Sequence, residues 1–227
     1  MTNTRLLNRN DLQHIHIPRF IVVEGPIGVG KTTLVKMLAE CFKSETLLEQ
    51  AEDNPFLERF YAGEKNSALS TQLFFLMQRA QQLTQLAQED LFCQHRVADF
   101  LIDKDRLFAE VTLDADELAL YHQVYDRLTL DIPTPDLVVY LQAPSSVLLQ
   151  RIEQRGIVSE RTIDKHYLDR LNEAYSRFFH FYDASPLLIV NATELDWSTS
   201  AADFNNLVTY MLNIDHGRHY YNPQPSI

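Results

Sequence analysis

The sequence predicts an α/β domain built on a five-stranded, mostly parallel sheet. Two observations carry that prediction. Short apolar, β-branched runs alternate with segments of helical periodicity, the order expected when helices cross between parallel strands. The first such run also leads into a glycine-rich loop and then a helix, a strand–loop–helix unit typical of that class. With 227 residues, 45% of them apolar, the chain can bury one good core. Residues 1–227 therefore read as a single domain.

The elements follow in order. "RFIVVEG" is a buried first strand, and "KTTLVKMLAECF" continues as a helix. A short strand lies near "TLLEQ". Asp53 or Asn54 caps the next helix, with Pro55 in its first turn. From Ala68 to about Glu89, Leu69, Leu73, Leu76, Met77, Ala80 and Leu83 recur at helical spacing and predict one long helix. "RVADF" is a third strand and "DADELALYHQVYDRL" a helix. "IPTPDLVVYLQA" turns into a central strand, and "SSVLLQRIEQRG" is a helix that stops at Gly156. "HYLDRLNEAYSRFFHFYDA", "PLLIVNA" and "ADFNNLVTYMLN" supply a helix, the last strand and the last helix. Residues 1–18 and 215–227 are peripheral, and the tail "DHGRHYYNPQPSI" is expected to be irregular.

The net charge is -11. This argues against nucleic acid as a partner, because basic patches supply most of such affinity. A site for a polyanion must instead gather its cations locally, against the field of the whole chain. No stretch suits a membrane span, and "MTNTRLLNRNDLQHIHIPRF" lacks the apolar run of a secretory signal. Cys41 and Cys93 form neither a CxxC pair nor a metal spacing and read as reduced thiols. The expected compartment is the cytoplasm. His14-x-His16, near the terminus, reads as incidental.

Gly25-Pro26-Ile27-Gly28-Val29-Gly30-Lys31-Thr32 fits GxxxxGK[ST]. Glycines let backbone amides wrap phosphate oxygens, and the helix starting near Gly30 adds its positive end. Lys31 is placed for the terminal phosphates, the Thr32 hydroxyl is the natural Mg²⁺ ligand, and Thr33 belongs to the same loop. A chance glycine-rich turn is the bland alternative. The loop lies between a predicted strand and a predicted helix, which is the context that phosphate binding demands. ATP and Mg²⁺ are the expected cofactors.

Glu49 ends the second predicted strand, on the same carboxyl edge of the sheet as Gly25. A carboxylate there accepts the proton of an attacking hydroxyl and repels an incoming phosphate. A nucleoside therefore suits the pocket better than a nucleotide. On spacing alone, Glu49, Glu52 or Asp53 serves equally well as a solvated charge or a helix cap.

The succession "EGPIGVGKTTL", "EQAEDNPFLERFY", "TQLFFLMQRAQQL" and "RIEQRG...E" resembles the deoxynucleoside kinases, most of all their bacterial deoxyadenosine/deoxyguanosine/deoxycytidine branch. The likeness runs roughly from Phe20 to Ala192. It implies a three-layer α/β/α fold of the P-loop NTPase type, with a doubly wound sheet and a helical lid at about 151–163. It also implies transfer from ATP to the 5′-hydroxyl of a deoxynucleoside in nucleotide salvage, by a homodimer.

Carried over position by position, the resemblance makes Glu49 the general base, followed by Gln50 where the family often has proline. Tyr61 meets the sugar 3′-hydroxyl, Gln72 reads the base edge, and Arg79 marks members that accept cytosine or purines. Gln72 and Arg79 are nearly two helical turns apart, so they share a face with Phe75 and Leu76 between them. Such a face holds a base by its edge and packs on its plane; the alternative is a solvated polar stripe. Phe74 and Phe75 themselves read as core. Asp99 matches an acidic position that contacts substrate and Mg²⁺, with a capping role as the alternative. Phe100 stands where many members carry arginine, and Arg96 and Arg106 are the candidates to compensate. Asp103 or Asp105 matches the acidic residue that discriminates bases.

In the lid, Arg151 and Arg155 are four apart on one helical face. Both are expected to converge on the transferring phosphoryl group, where one arginine is worth roughly a thousandfold in related enzymes. The alternative is a surface ladder with Glu153. Glu160 matches a lid glutamate that joins Tyr61 at the 3′-hydroxyl. Ile157 replaces a third arginine, and Arg161 is the nearby substitute. Two rival functions remain: a nucleoside-monophosphate (thymidylate-like) kinase, and a nonenzymatic ATP-binding module, the latter favoured by Phe100 and Ile157.

Overall fold

The computed structural model describes residues 5–64, 66–89, 95–129, 132–195, 197 and 200–223; Cys93 lies outside them. The strands are β1 (Phe20–Glu24), β2 (Glu45–Leu47), β3 (Arg96–Ala98), β4 (Leu137–Gln142), β5 (Leu187–Asn191) and β6 (Arg218–Tyr221). They form one sheet in the order β2-β3-β1-β4-β5-β6, with every neighbouring pair parallel. Ile21 of β1 pairs with Val97 on one side and Leu137 on the other. The chain leaves β1 towards β2 and β3 and later builds outward on the opposite side. That change of direction leaves a crevice at the carboxyl ends of the central strands.

The helices are α1 (Lys31–Phe42), α2 (Leu57–Tyr61), α3 (Ala68–Glu89), α4 (Lys104–Thr112), α5 (Ala115–Leu128), α6 (Ser145–Arg155), α7 (Lys165–Phe181) and α8 (Ala201–Met211). Strand alternation sorts them into two layers. Ile21 and Val23 of β1, with Leu137, Val139 and Leu141 of β4, pack with Leu34 and Leu38 of α1, Ile152 of α6 and Phe204 of α8. Phe20, Val22, Val138 and Tyr140 face the other way, towards Leu76 of α3, Tyr121 of α5 and Tyr175 and Phe179 of α7. Both faces of β1 and β4 are covered, so these strands read as continuous apolar runs rather than alternating ones. Tyr140 stacks on Phe179 at 4.1 Å between ring centroids, worth about 1 kcal/mol beyond the area buried.

Local chemistry fixes the helix ends. Asp114 Oδ1 accepts from the amides of Asp116 and Glu117 and thereby starts α5. Glu117 Oε2 accepts in return from the Asp114 amide, completing a capping box. Gly156 takes a left-handed φ of 70° and ends α6, where a side chain would be strained.

Four expectations need correction. The sheet has six strands among the described residues, because Arg218–Tyr221 of the supposedly irregular tail pair with β5. An edge strand needs only one partner and half-burial, so its apolar signature is weak. The helix after Asp53 starts only at Leu57, with Asn54 Oδ1 accepting from Phe56 N at 3.0 Å; Pro55 therefore precedes it. α4 had no counterpart in the sequence reading, since its buried positions include Lys104 and Asp105 and break the apolar period. Finally, the N-terminal segment is not wholly peripheral: Leu12 and Ile17 join the core.

Candidate active site

The crevice is a cavity of about 1370 Å³, larger than the usual range for one small ligand. The loop and α1 form one wall. Gly28 has φ 81°, and a β-carbon there would lie 2.9 Å from both Leu148 O and Ile152 Cγ1. Only glycine lets the loop pass this close to α6. Ile27, Gly28, Val29 and Gly30 line the cavity with Lys31, Thr32 and Thr33. Gly25 and Pro26 stand behind them, and their carbonyls accept from Lys31 Nζ at 2.8 and 3.2 Å. Burial first, and then the charge of Lys104, hold the Lys31 ammonium below its ordinary range. The single tryptophan, Trp197, also lines the cavity, beside Gly30.

Asp99, just past β3 and buried, ties this wall to the opposite one. Its Oδ2 accepts from Thr32 Oγ1 at 2.6 Å, and its Oδ1 accepts from the Glu49 amide at 2.7 Å. A capping role for Asp99 in the next segment is not what the geometry shows. The Thr32 hydroxyl and a buried carboxylate side by side are hard oxygen donors of the kind Mg²⁺ takes.

Glu49 carries the opposite wall. One carboxylate oxygen accepts from Arg79 Nη2, and the other accepts from Lys104 Nζ at 2.9 Å. Burial alone would raise this carboxyl. Arg79 and then Lys104 outweigh it and hold Glu49 well below the usual carboxylate range, so it is ionised at neutral pH. Arg79 continues through Nη1 to Asp105, and its guanidinium lies 4.8 Å from the Phe75 ring centre. Of the two aspartates, Asp105 is the one that meets Arg79. Gln72, on the same face of α3, is buried and donates to Thr112 Oγ1 at 3.3 Å. Phe75 is core and cavity wall at once, while Phe74 packs edge-on against Phe56.

Behind Glu49 stands Glu24, fully buried at the end of β1. It accepts from the amides of Gly25 and Leu101 at 2.8 and 2.7 Å and from the Tyr175 hydroxyl at 2.9 Å. Sequence reasoning missed Glu24 and Lys104. Glu24 had a signal, being the one charge in the first apolar strand. Lys104 had none beyond its nearness to Phe100.

At the mouth, Tyr61 and Glu160 line the same cavity. The Tyr61 hydroxyl is pushed well above its ordinary value by burial, then by Tyr167 and Glu160. The lid arginines do not converge here. Arg155 Nη2 grips Glu160 at 2.6 and 2.5 Å; its partner is therefore not Glu153. Arg151 donates to the carbonyls of Val29, Ala192, Thr193 and Leu195 at 3.0–3.3 Å, pinning α6 to the loop. The candidates for the arginine absent at Phe100 also lie elsewhere. Arg96 donates to Leu86 O and faces Glu45, and Arg106 pairs with Asp126 over the Tyr125 ring. Arg161 is exposed.

A strand–loop–helix unit thus faces a cation-held carboxylate across one cavity, and known proteins share this chain's sequence and fold. The chain is 36% identical over 197 residues to the deoxyguanosine kinase of Bacillus subtilis, covering 85% of this chain and 95% of that one. It is 30% identical over 194 residues to the deoxyadenosine kinase of Lactobacillus acidophilus, covering 79% and 88%. The solved deoxyadenosine kinase of M. mycoides with products dCMP and dCDP superposes with a TM-score of 0.74 at 26% identity, over 86% of this chain and 98% of that one. The deoxynucleoside kinase family matches residues 21–214. That span takes in every side chain assigned above to the cradle and to the acceptor wall, so the chain belongs to the deoxynucleoside kinase family.

Proposed function

We propose that this chain transfers the γ-phosphoryl group of ATP to the 5′-hydroxyl of a deoxynucleoside, with deoxyadenosine, deoxyguanosine or deoxycytidine favoured. One observation carries the reading. Glu49 is ionised and fixed opposite the phosphate loop, joined to it through Asp99 and Thr32. In the reaction the O5′–Pγ bond forms and the bond from Pγ to the β,γ-bridging oxygen breaks, leaving ADP. The O5′ proton passes to Glu49. Because such transfers are loose, positioning outweighs the strength of the base, which suits a carboxyl held far below neutrality.

The acceptor wall favours an alcohol over a second phosphate. Arg79, Lys104 and Arg155 each already face a carboxylate, so a phosphate arriving there would compete with Glu49, Asp105 or Glu160. Gln72, Arg79 and Asp105 offer the in-plane donors and acceptors of a base edge, with Phe75 beside them. Tyr61 and Glu160 serve the 3′-hydroxyl. Arg155 is released from Glu160 to the phosphoryl group when the lid region, about 151–163, closes. Arg151, pinned to four carbonyls, holds the lid to the loop. Thr32 and Asp99 would hold Mg²⁺, which would supply charge neutralisation to the transferring phosphoryl group. A homodimer in the cytoplasm, with residues 1–227 as one domain, completes the reading.

The test is ADP release from Mg·ATP with each of the four deoxynucleosides and, separately, their 5′-monophosphates. Turnover with deoxynucleosides alone is expected. Turnover only with monophosphates would assign a nucleotide kinase, and ATP binding without acceptor-dependent ADP a nonenzymatic module.

A further inference from the structure

Phe100, a fully buried aromatic ring, stands just past Asp99. Its ring centre lies 5.8 Å from the Arg79 guanidinium. Four residues on, Lys104 opens α4 and is 3% exposed. Its ammonium is 2.9 Å from Glu49 Oε2 and 3.9 Å from Glu24 Oε2.

A lysine at this point is costly to the fold, and its pairing with Glu24 and Glu49 offsets that cost. A cation in the first turn of a helix opposes the dipole, and buried lysines are rare because desolvation is costly. Glu24 already has three donors in Gly25 N, Leu101 N and the Tyr175 hydroxyl. Glu49 already has Arg79. Lys104 is the second cation on Glu49, after Arg79, and its place is on the acceptor side of the cavity.

We infer that Lys104 acts from α4 as a positioning residue that fixes the Glu49 carboxylate towards the acceptor oxygen. The inference rests on the reading of Glu49 as the proton acceptor for O5′. Arg79 grips one carboxylate oxygen and Lys104 the other, so rotation of the carboxylate is blocked from both sides. Without Lys104 the group swings on a single ion pair, and misplacement of a reacting group by about 1 Å costs roughly a hundredfold in rate.

The experiment measures steady-state ADP release with Mg·ATP and the best of the four deoxynucleosides, in the parent chain and in Lys104→Met, Lys104→Gln and Lys104→Arg. ATP affinity is followed in parallel by Trp197 fluorescence. The Met and Gln variants are expected to lose about a hundredfold in kcat with the KM for ATP within about threefold, and Arg to recover to within about tenfold of the parent. Turnover of Met or Gln within about threefold of the parent overturns the inference. So does an Arg variant that binds ATP yet is as slow as Met, and so does loss of ATP binding in both neutral variants, which marks a structural lysine. A parent chain that releases no ADP on adding deoxynucleoside sinks the proposed function itself, which is a separate failure.

Discussion

The Tyr175 hydroxyl donates to Glu24 Oε1 at 2.9 Å, across 151 residues of sequence. This bond joins the aromatic layer of α7 to the strand that launches the phosphate loop. Tyr175 lies 5.8 Å from Tyr140 and 6.3 Å from Phe179, in stacked geometry with both, so its hydroxyl has little freedom to point elsewhere. Burial and then the Glu24 charge push the phenol well above its ordinary value, and it donates at every physiological pH.

Tyr175→Phe keeps the stack and removes the donor. Glu24 retains its two amide partners, so a loss of about 1–3 kcal/mol is expected. At roughly 2–4 °C per kcal/mol for a chain of this size, the melting temperature falls by several degrees. Calorimetry of the two proteins checks this; an unchanged Tm would mean that the hydroxyl is easily replaced by water.

Glu49→Gln keeps the shape and removes the charge between Arg79 and Lys104. Deoxynucleoside-dependent turnover is expected to fall by about 10²–10⁴, while ATP binding, read by Trp197 fluorescence, stays within about threefold because the loop is untouched. Near-parental turnover would remove Glu49 from proton transfer.

Gly28→Ala sets a β-carbon 2.9 Å from Leu148 O at a φ of 81°. Neither the α6 backbone nor a left-handed alanine is tolerated cheaply, and a cost of about 1–3 kcal/mol is expected. The loop must shift to relieve the contact, so ATP affinity falls by tenfold or so. Titration calorimetry with ATP would detect it.

Cys41 carries a pH prediction. Burial first, then Asp11 and Glu40, push its thiol from 9.0 up to about 11. The folded state thus favours the neutral thiol, and that preference is lost as pH rises from 9 through 11. In a Cys93→Ser background, alkylation of Cys41 by iodoacetamide at pH 8 is expected to be about a hundredfold slower folded than in urea. The gap should narrow as the pH approaches 11. Equal rates at pH 8 would show that the thiol is not held neutral.

Much of this was legible in the sequence because the responsible forces are local. The span Ala68–Glu89 follows from apolar spacing alone, and the loop from glycines whose φ values no other residue adopts easily. Glu49, Asp99, Gln72 and Arg79 were legible as candidates by motif order. Their joining was not, since Asp99 reaches Thr32 and Glu49 across 67 and 50 residues. Lys104 stayed hidden, and Asp105 could not be told from Asp103, because buried charges interrupt the very periodicity by which a helix is recognised. The separation of Arg151 from Arg155 also escaped. Helical spacing says that two side chains share a face, but not that one of them is held by the carbonyls of a loop folded against it.

The sixth strand has a practical consequence. The family match stops at residue 214, short of Arg218–Tyr221. A protein trimmed to that match would lay bare the outer amides and carbonyls of Leu187–Asn191, an otherwise buried apolar strand. Such a margin is a template for another chain. Trimming would thus turn a covered edge into an adhesive one, with self-association rather than lost chemistry as the first symptom.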